Sequence, residues 1–325
     1  MYSRGEFYEM QKEWRIIMKK LKTMAMAVTT ALMLSVSLAG CGGSDAPAAS
    51  SGRDTAPAAQ TDNAQTEQST APESTQAAEA APDNVESQTS ASDSDYVKGK
   101  GTLVVGITDF EPMDYKDENG EWIGFDADMA KAFAESLDVS VEFVEIDWDN
   151  KVLELDGKTI DCVWNGMTLT PEVTGSMECS RAYCNNAQVI VAPVGQADNF
   201  QEKSDLSQYN FAVEAGSAGE QQAISLELPH TPVKAQSDAL MEVAAGTSDA
   251  AIIDSLMAAA MVGEGTGYAD LTYTIGLNDE EYGVGFRKGS DLAASLNAFF
   301  TTSYQDGSMI EIAEKYGVQA ALVEQ

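Results

Sequence analysis

An α/β fold in two lobes is the architecture this sequence predicts for residues 96–325. Apolar runs of strand length alternate with helix-like segments, and the alternation restarts near Asn210. The stretch from Gly42 to Asp95 contains no Phe, Tyr, Trp, Leu, Ile or Met and cannot join a core. Strands that alternate with helices pack as a mainly parallel sheet covered on both faces. Two such arrays in one chain argue for two sheets, with a ligand expected at the carboxyl ends of the strands.

In order along the chain, Thr102 to Thr108 reads as a buried strand between Gly101 and Asp109. Phe125, Met129, Phe133 and Leu137 recur every fourth residue and give one apolar face to a helix from about Ala127 to Leu137. Val139 to Glu145 alternates as a strand, a short helix spans Asn150 to Leu155, and Thr159 to Trp164 forms the next strand. In the second array, Asn210 to Val213 is a strand, Gly216 to Gly219 a turn, and Glu220 to Ser225 the start of a helix. Ser237 is the expected N-cap of a helix from Asp238 to Ala245. Ala250 to Ile253 is a strand and Ser255 to Val262 a helix. A strand around Tyr282 to Arg287 and two amphipathic helices close the chain. Asn119-Gly120 reads as a two-residue hairpin turn.

Residues 1–40 read as a signal region, with Met18 as its natural start because Lys19, Lys20 and Lys22 precede an apolar run. Leu38-Ala39-Gly40-Cys41 resembles a bacterial lipobox. The expected consequence is lipidation of Cys41 and a protein held on the extracytoplasmic face of the cell membrane. Residues 41–95 are then a disordered linker, because Ala, Ser, Thr, Gln, Pro and acids bury too little apolar surface to offset chain entropy. A coil of that length spans about 40 Å root-mean-square.

The formal net charge is −33, which excludes nucleic acid as a partner, since phosphate binding needs a basic surface. The acidic turn Asp117-Glu118-Asn119-Gly120 lacks the calcium-loop spacing, with Tyr115 where a first carboxylate ligand belongs. His230 is the single histidine and no Cys-x-x-Cys occurs, so neither a zinc site nor a histidine-dependent triad is expected. No metal or cofactor is implied. Of Cys162, Cys179 and Cys184, the last two are either bridged or free thiols.

Several phrases, in order, resemble the amino-acid-binding solute receptors of ABC importers, solute-binding family 3. They are Gly106-Ile107-Thr108 with Pro112, Gly124-Phe125-Asp126-Ala127-Asp128, and Asp161 followed by Gly166-Met167-Thr168-Leu169-Thr170-Pro171-Glu172. Ser180-Arg181-Ala182-Tyr183, Ala215-Gly216-Ser217 and Asp254 continue the series. The resemblance covers about Gly101 to Tyr316. It implies a periplasmic-binding-protein-like fold (type II), each lobe a mainly parallel sheet flanked by helices, with two crossover strands near Val189 to Val194 and Thr272 to Gly283. Lobe 1 is then 96–191 plus 277–325, and lobe 2 is 192–276. It also implies closure like a hinge around one amino acid and docking on an ABC permease.

Site roles follow from the same resemblance. Phe110 would stack on the ligand side chain and Trp148 would line the pocket, although both also suit a core. Asn165 would reach the ligand side chain. Gly166 and Thr168 would hold its amino group and carboxylate, while Thr170 suits a helix cap. Ser217 and Ala218 would offer amide donors at a helix start, a site suited to a carboxylate. Asp254 would pair with the ammonium, or cap the following helix, or both. Val173 stands where the family places a carboxylate-clamping arginine. Losing the partner of a desolvated charge costs about 2–5 kcal/mol, against about 0.3–2 kcal/mol from a helix dipole. Arg181 is therefore carried as a candidate cation, ahead of Arg287, beside its plainer reading as a solvated surface residue. The expected function is delivery of an amino acid or similar polar solute to an importer, without enzymatic turnover. Two alternatives remain: a ligand sensor for a membrane receptor, and a cyclohexadienyl-dehydratase-like enzyme on the same scaffold, with Glu111 or Asp254 as its acid–base group.

Overall fold

Residues 92–325 are described by the computed structural model, within the unit Asp83–Gln325. The expected signal segment, Cys41 and nearly all of the expected linker lie outside them. The first described element corrects the linker's end. Helix α1 (Asp93–Lys100) begins before Tyr96, capped by Ser92, whose hydroxyl accepts from the Asp95 amide, and closed by Gly101 at φ 74°. Asp93 and Asp95 in its first turn and Lys98 and Lys100 in its last match the helix dipole. Tertiary contacts hold it. Val97 is buried, and Arg287 Nε donates to both Asp93 oxygens at 3.1 Å.

Two sheets follow. The first runs β4 (Ser140–Glu145), β1 (Thr102–Ile107), β5 (Cys162–Thr168), β13 (Glu280–Phe286), β6 (Glu178–Cys179), with β7 (Cys184–Asn186) also on β13. The second runs β10 (His230–Val233), β9 (Phe211–Glu214), β11 (Ala250–Asp254), β8 (Gln188–Pro193), β12 (Leu271–Gly276). A small hairpin, β2 (Tyr115–Lys116) and β3 (Trp122–Ile123), stands apart. Parallel pairing holds only on one side of each sheet. β1 is parallel to β4 and β5, and β9 to β10 and β11. β13 is antiparallel to β5, β6 and β7, and β8 to β11 and β12. The sheets are thus mixed, because β8 and β13 enter from the other sheet and run against their neighbours.

The chain passes between sheets at Ala187 and across 277–279. The lobe boundary expected at 191 falls inside β8, which pairs wholly in the second sheet. The two passages are tied together: the Leu277 amide donates to Gln188 O at 2.8 Å, and the Gln188 amide to Asn278 Oδ1 at 2.7 Å.

Helix α2 (Phe125–Ser136) buries Phe125, Met129 and Phe133 on the expected face. It is followed by α3 (Lys151–Asp156), α4 (Pro171–Ser176), α5 (Ala218–Ser225), α6 (Gln236–Ala245), α7 (Ser255–Met261), α8 (Leu292–Gln305) and α9 (Ser308–Tyr316). Behind β5 and β13, Trp164 packs edge-on against Phe300 with centroids 5.6 Å apart, and Tyr183 lies 5.6 Å from the same ring.

Three local expectations change. The strand expected at Thr159 to Trp164 starts later and runs on to Thr168, because the buried Asp161 carboxylate accepts from the Val104 amide at 2.8 Å and pairs with Lys100. Ser237 is not a cap: α6 starts at Gln236 with Ala235 at the cap position, and the Ser237 hydroxyl turns to Asp109 instead. The Asn119-Gly120 turn is part of a longer loop in which Asp117 Oδ1 accepts from the Asn119 and Glu121 amides at 2.8 and 2.9 Å. Cys162, Cys179 and Cys184 are free thiols. Among the described residues no helix is long and apolar enough to cross a membrane.

Arg287 is 8 % exposed. Besides Asp93, it reaches the Ile160 carbonyl at 2.8 Å and Asp161 at 3.4 Å. Removing one partner of a buried ion pair costs about 3–5 kcal/mol. Arg287→Met is expected to lower unfolding stability by roughly that amount in urea titration and to open α1 to trypsin at Lys98 and Lys100.

Candidate functional site

The sheets meet at a narrow cleft. From the first come Trp148 and Lys151 at the start of α3, Asn165 to Thr168 at the end of β5, and Thr170 and Val173 of the α4 turn. From the second come Glu214 at the end of β9, Gly216 to Ala218 at the start of α5, Gln221, Gln236 and Asp254. The cavity among them holds about 20 Å³, little more than the ~10–15 Å³ that one water needs. A guest the size of an amino acid requires the walls to part. A larger hollow of about 380 Å³ lies elsewhere, lined by Asp109, Glu111, Tyr115, Lys116, Trp122, Glu145 and Met261. Its Lys116 and Glu145 are already paired at 3.1 Å, and neither Asp254 nor the start of α5 lines it. Chemistry, not size, singles out the smaller one.

Asp254 sits at the base of the cleft. It occupies the cap position of α7 without capping it, so its side chain is free for other partners. Asn186 Nδ2 donates to Oδ1, as do Gln188 Nε2 at 3.1 Å and the Tyr282 hydroxyl at 2.6 Å. Gln236 Nε2 donates to Oδ2, and Gln236 Oε1 accepts from the Asp254 amide at 2.8 Å. Burial, and after it the Glu280 charge, push this carboxyl well above the usual range. Glu280 Oε1 accepts from Asn186 Nδ2 at 2.6 Å, Gln188 Nε2 at 2.8 Å and Thr168 Oγ1 at 3.1 Å. Two buried carboxylates thus share one set of amide and hydroxyl donors, an arrangement suited to an ammonium group.

Higher in the cleft, Ser217 caps α5 by accepting from the Glu220 amide at 3.1 Å. Lys151 crosses from the first lobe to donate to Gly216 O at 2.9 Å. Glu214 is 2 % exposed, and its Oε1 has no hydrogen-bond partner among the described residues. Burial raises its pKa to about 8, against the opposing pull of the Thr108 hydroxyl and the Lys151 charge. Gly216 stands at φ 71°, and a Cβ there would lie 2.7 Å from Asp149 Cα of the opposite lobe.

Of the residues expected at the site, Trp148, Asn165, Gly166, Thr168, Ser217, Ala218 and Asp254 line this one cavity. Four of the expected roles change. Phe110 packs behind the wall: a Cβ on Gly166 would lie 2.5 Å from its ring, and it meets Tyr282 edge-on at 6.3 Å. Asn165 has no bond to spare, since Oδ1 accepts from the Thr108 amide and hydroxyl and Nδ2 donates to Thr108 O and Asp114. Arg181 is remote, with its guanidinium on α8 at Asn297 O and Thr301 Oγ1, 2.8 and 3.0 Å away. The Gly166 amide is also committed, donating to Asp126 Oδ2 at 2.7 Å. Sequence reasoning missed Lys151, Glu214, Gln188 and Gln236. Glu214 had a signal: an acid ending the apolar strand Phe211-Ala212-Val213, directly before Ala215-Gly216-Ser217. Among the described residues no cluster of His, Cys, Asp or Glu is arranged to hold a metal ion.

Two sheets, two linking passages and a polar cleft between them define a two-lobed solute receptor of the type II periplasmic-binding class. Residues 103–319 match the bacterial extracellular solute-binding proteins, family 3, and the chain belongs to that family. The arginine-binding extracellular protein ArtP of Bacillus subtilis is 27 % identical over 234 residues, covering 70 % of this chain and 90 % of that protein. An L-arginine-binding protein of Pseudomonas aeruginosa is 30 % identical over 221 residues, covering 64 % and 84 %. An ABC uptake transporter substrate-binding protein from Streptococcus pneumoniae, solved with bound histidine, superposes with TM-score 0.65 at 28 % identity, covering 72 % and 99 %. An ancestral amino-acid-binding protein, described as a precursor of cyclohexadienyl dehydratase, superposes with TM-score 0.63 at 32 % identity, covering 69 % and 98 %.

Gly216→Ala is expected to hold the lobes apart, seen as a larger radius of gyration in small-angle scattering of the ligand-free protein than for the wild type. The buried Glu214 carboxyl gives a second prediction. Its folded pKa of about 8 lies above its reference value of 4.5, so its destabilising effect is absent below pH 4.5 and grows as pH rises to about 8. Glu214→Gln should therefore raise the melting temperature more at pH 8 than at pH 5.

Proposed function

We propose that this protein is a lipid-anchored extracytoplasmic receptor that binds an L-amino acid between its lobes and passes it to an ABC importer permease. The observation that carries this reading is the buried pair Asp254 and Glu280, with neutral amide and hydroxyl donors around it where an ammonium group would fit. Ser217 and Ala218, at the start of α5 across the cavity, suit the guest's carboxylate. The names of the relatives, which include arginine- and histidine-binding proteins, support an amino-acid guest. Acidic side chains (Asp254, Glu280 and Glu214) outnumber basic ones (Lys151) around the cleft, and a positive charge from the guest would let the raised Asp254 and Glu214 carboxyls ionise. That balance favours a guest bringing positive charge, so L-arginine and L-histidine lead the list to be tested. Membrane attachment through Cys41 is part of this proposal and rests on the lipobox-like Leu38-Ala39-Gly40-Cys41. The lobes are proposed as 92–187 with 277–325, and 188–276.

The reading is of binding without turnover. Asp254 and Glu280 are each held by several donors, which suits electrostatic recognition better than proton transfer. Isothermal calorimetry against the standard L-amino acids and L-cystine should give micromolar or tighter binding for at least one. Asp254→Asn is expected to weaken that binding by about 30-fold or more. Wild-type affinity should rise with pH up to the point where Asp254 ionises unaided, because an ammonium guest must displace its proton. Folded protein that gives no heat with any member of the panel rejects the amino-acid reading.

A further inference from the structure

Lys151 is the residue the cleft leaves without a matching charge. It opens α3 and is 8 % exposed. Its Nζ donates to Trp148 O at 3.1 Å and to Gly216 O, across the cleft, at 2.9 Å. Glu214, Asp149, Glu172 and Glu220 lie around it, yet none forms an ion pair with it among the described residues. A buried ammonium held by neutral carbonyls and by the Trp148 ring, 5.0 Å from its centroid, keeps much of its desolvation penalty. Burial accordingly lowers its pKa. Ser217 and Ala218 begin α5 on the facing wall of the same cavity, where the first amides of a helix have no acceptor within it. Val173, on the Lys151 side, brings no charge.

We propose that Lys151 is the cation that binds the guest's carboxylate in this cleft. Its Nζ exchanges the Gly216 carbonyl for one carboxylate oxygen, and the first amides of α5 take the other. A bond from the ammonium to a neutral carbonyl is replaced by one between opposite charges, which compensates the buried charge directly. Because Lys151 and Gly216 come from opposite lobes, the ion that Lys151 holds also determines how the two walls meet. The assignment rests on the amino-acid reading above.

The test compares the tightest amino-acid ligand of the calorimetric panel with its α-carboxamide, which keeps the ammonium and side chain and loses the negative charge. The wild type is expected to bind the acid at least about tenfold more tightly than the amide. Lys151→Met is expected to weaken acid binding by about 30-fold or more and to change amide binding less than threefold. Lys151→Arg should keep acid affinity within tenfold of the wild type. Circular dichroism confirms folding of each variant. If Lys151→Met does not fold, Lys151→Gln takes its place with the same expectations. An acid-to-amide ratio that does not change between wild type and variant overturns the assignment, as does equal loss of both ligands. Those results leave the receptor reading intact. Absence of binding by wild-type protein to every amino acid rejects that reading instead, and this assignment with it.

Discussion

Two carboxylates, Asp254 and Glu280, are buried side by side where the second sheet meets the first, and the rest of the molecule is arranged around the need to keep them there. Neither can be left bare, because an unpaired charge out of water costs several kcal/mol. Asn186 and Tyr282 reach Asp254 from the first sheet, Gln188 from the second and Gln236 from the start of α6. Both sheets therefore contribute to one polar network. The strands that carry these residues end or begin at the cleft: β7 at Asn186, β8 at Gln188, β11 at Asp254 and β13 at Glu280. In the proposed reading, a guest that brings its own positive charge replaces borrowed amide donors with a full cation.

Support for the network comes from the apolar core behind it. Gly166 lets the Phe110 ring lie flush against β5, and Tyr282 meets the same ring on its edge. The Tyr282 hydroxyl then points at Asp254 rather than swinging free. Asp126 fixes the same strand by accepting from the Gly166 amide and the Tyr183 hydroxyl, each at 2.7 Å. Gly219 has a parallel role opposite: a Cβ there would lie 2.8 Å from Ile252 O, so only glycine lets α5 sit directly on β11.

Much of this was legible in the sequence. Long apolar periodicities gave the order of the main strands and helices, since a buried face leaves its spacing in the residues that form it. Short edge pairings such as β6 and β7 left no such trace, because two or three residues carry no period. Helix α1 was hidden for a different reason. Its sequence is polar, and a partner 194 residues away holds it. Thr168, Ser217 and Asp254, which stand in distinctive phrases, were readable as residues that line one cavity. Lys151 was not, because a single lysine after Trp148 reads as an ordinary surface charge until the fold closes over it. Arg181 illustrates the converse: it stands within a family phrase in sequence while its side chain faces outward onto α8.

The two passages between sheets are bonded to each other at Gln188, Leu277 and Asn278. Two independent cords would let one half tilt, slide or swivel against the other. Cords laced together would behave as one strap and favour a single swing of the halves about that line. A mouth that moves in only one way presents the same pair of outer rims each time it shuts, and a neighbouring protein reading those rims would receive an unambiguous report of whether the interior is filled.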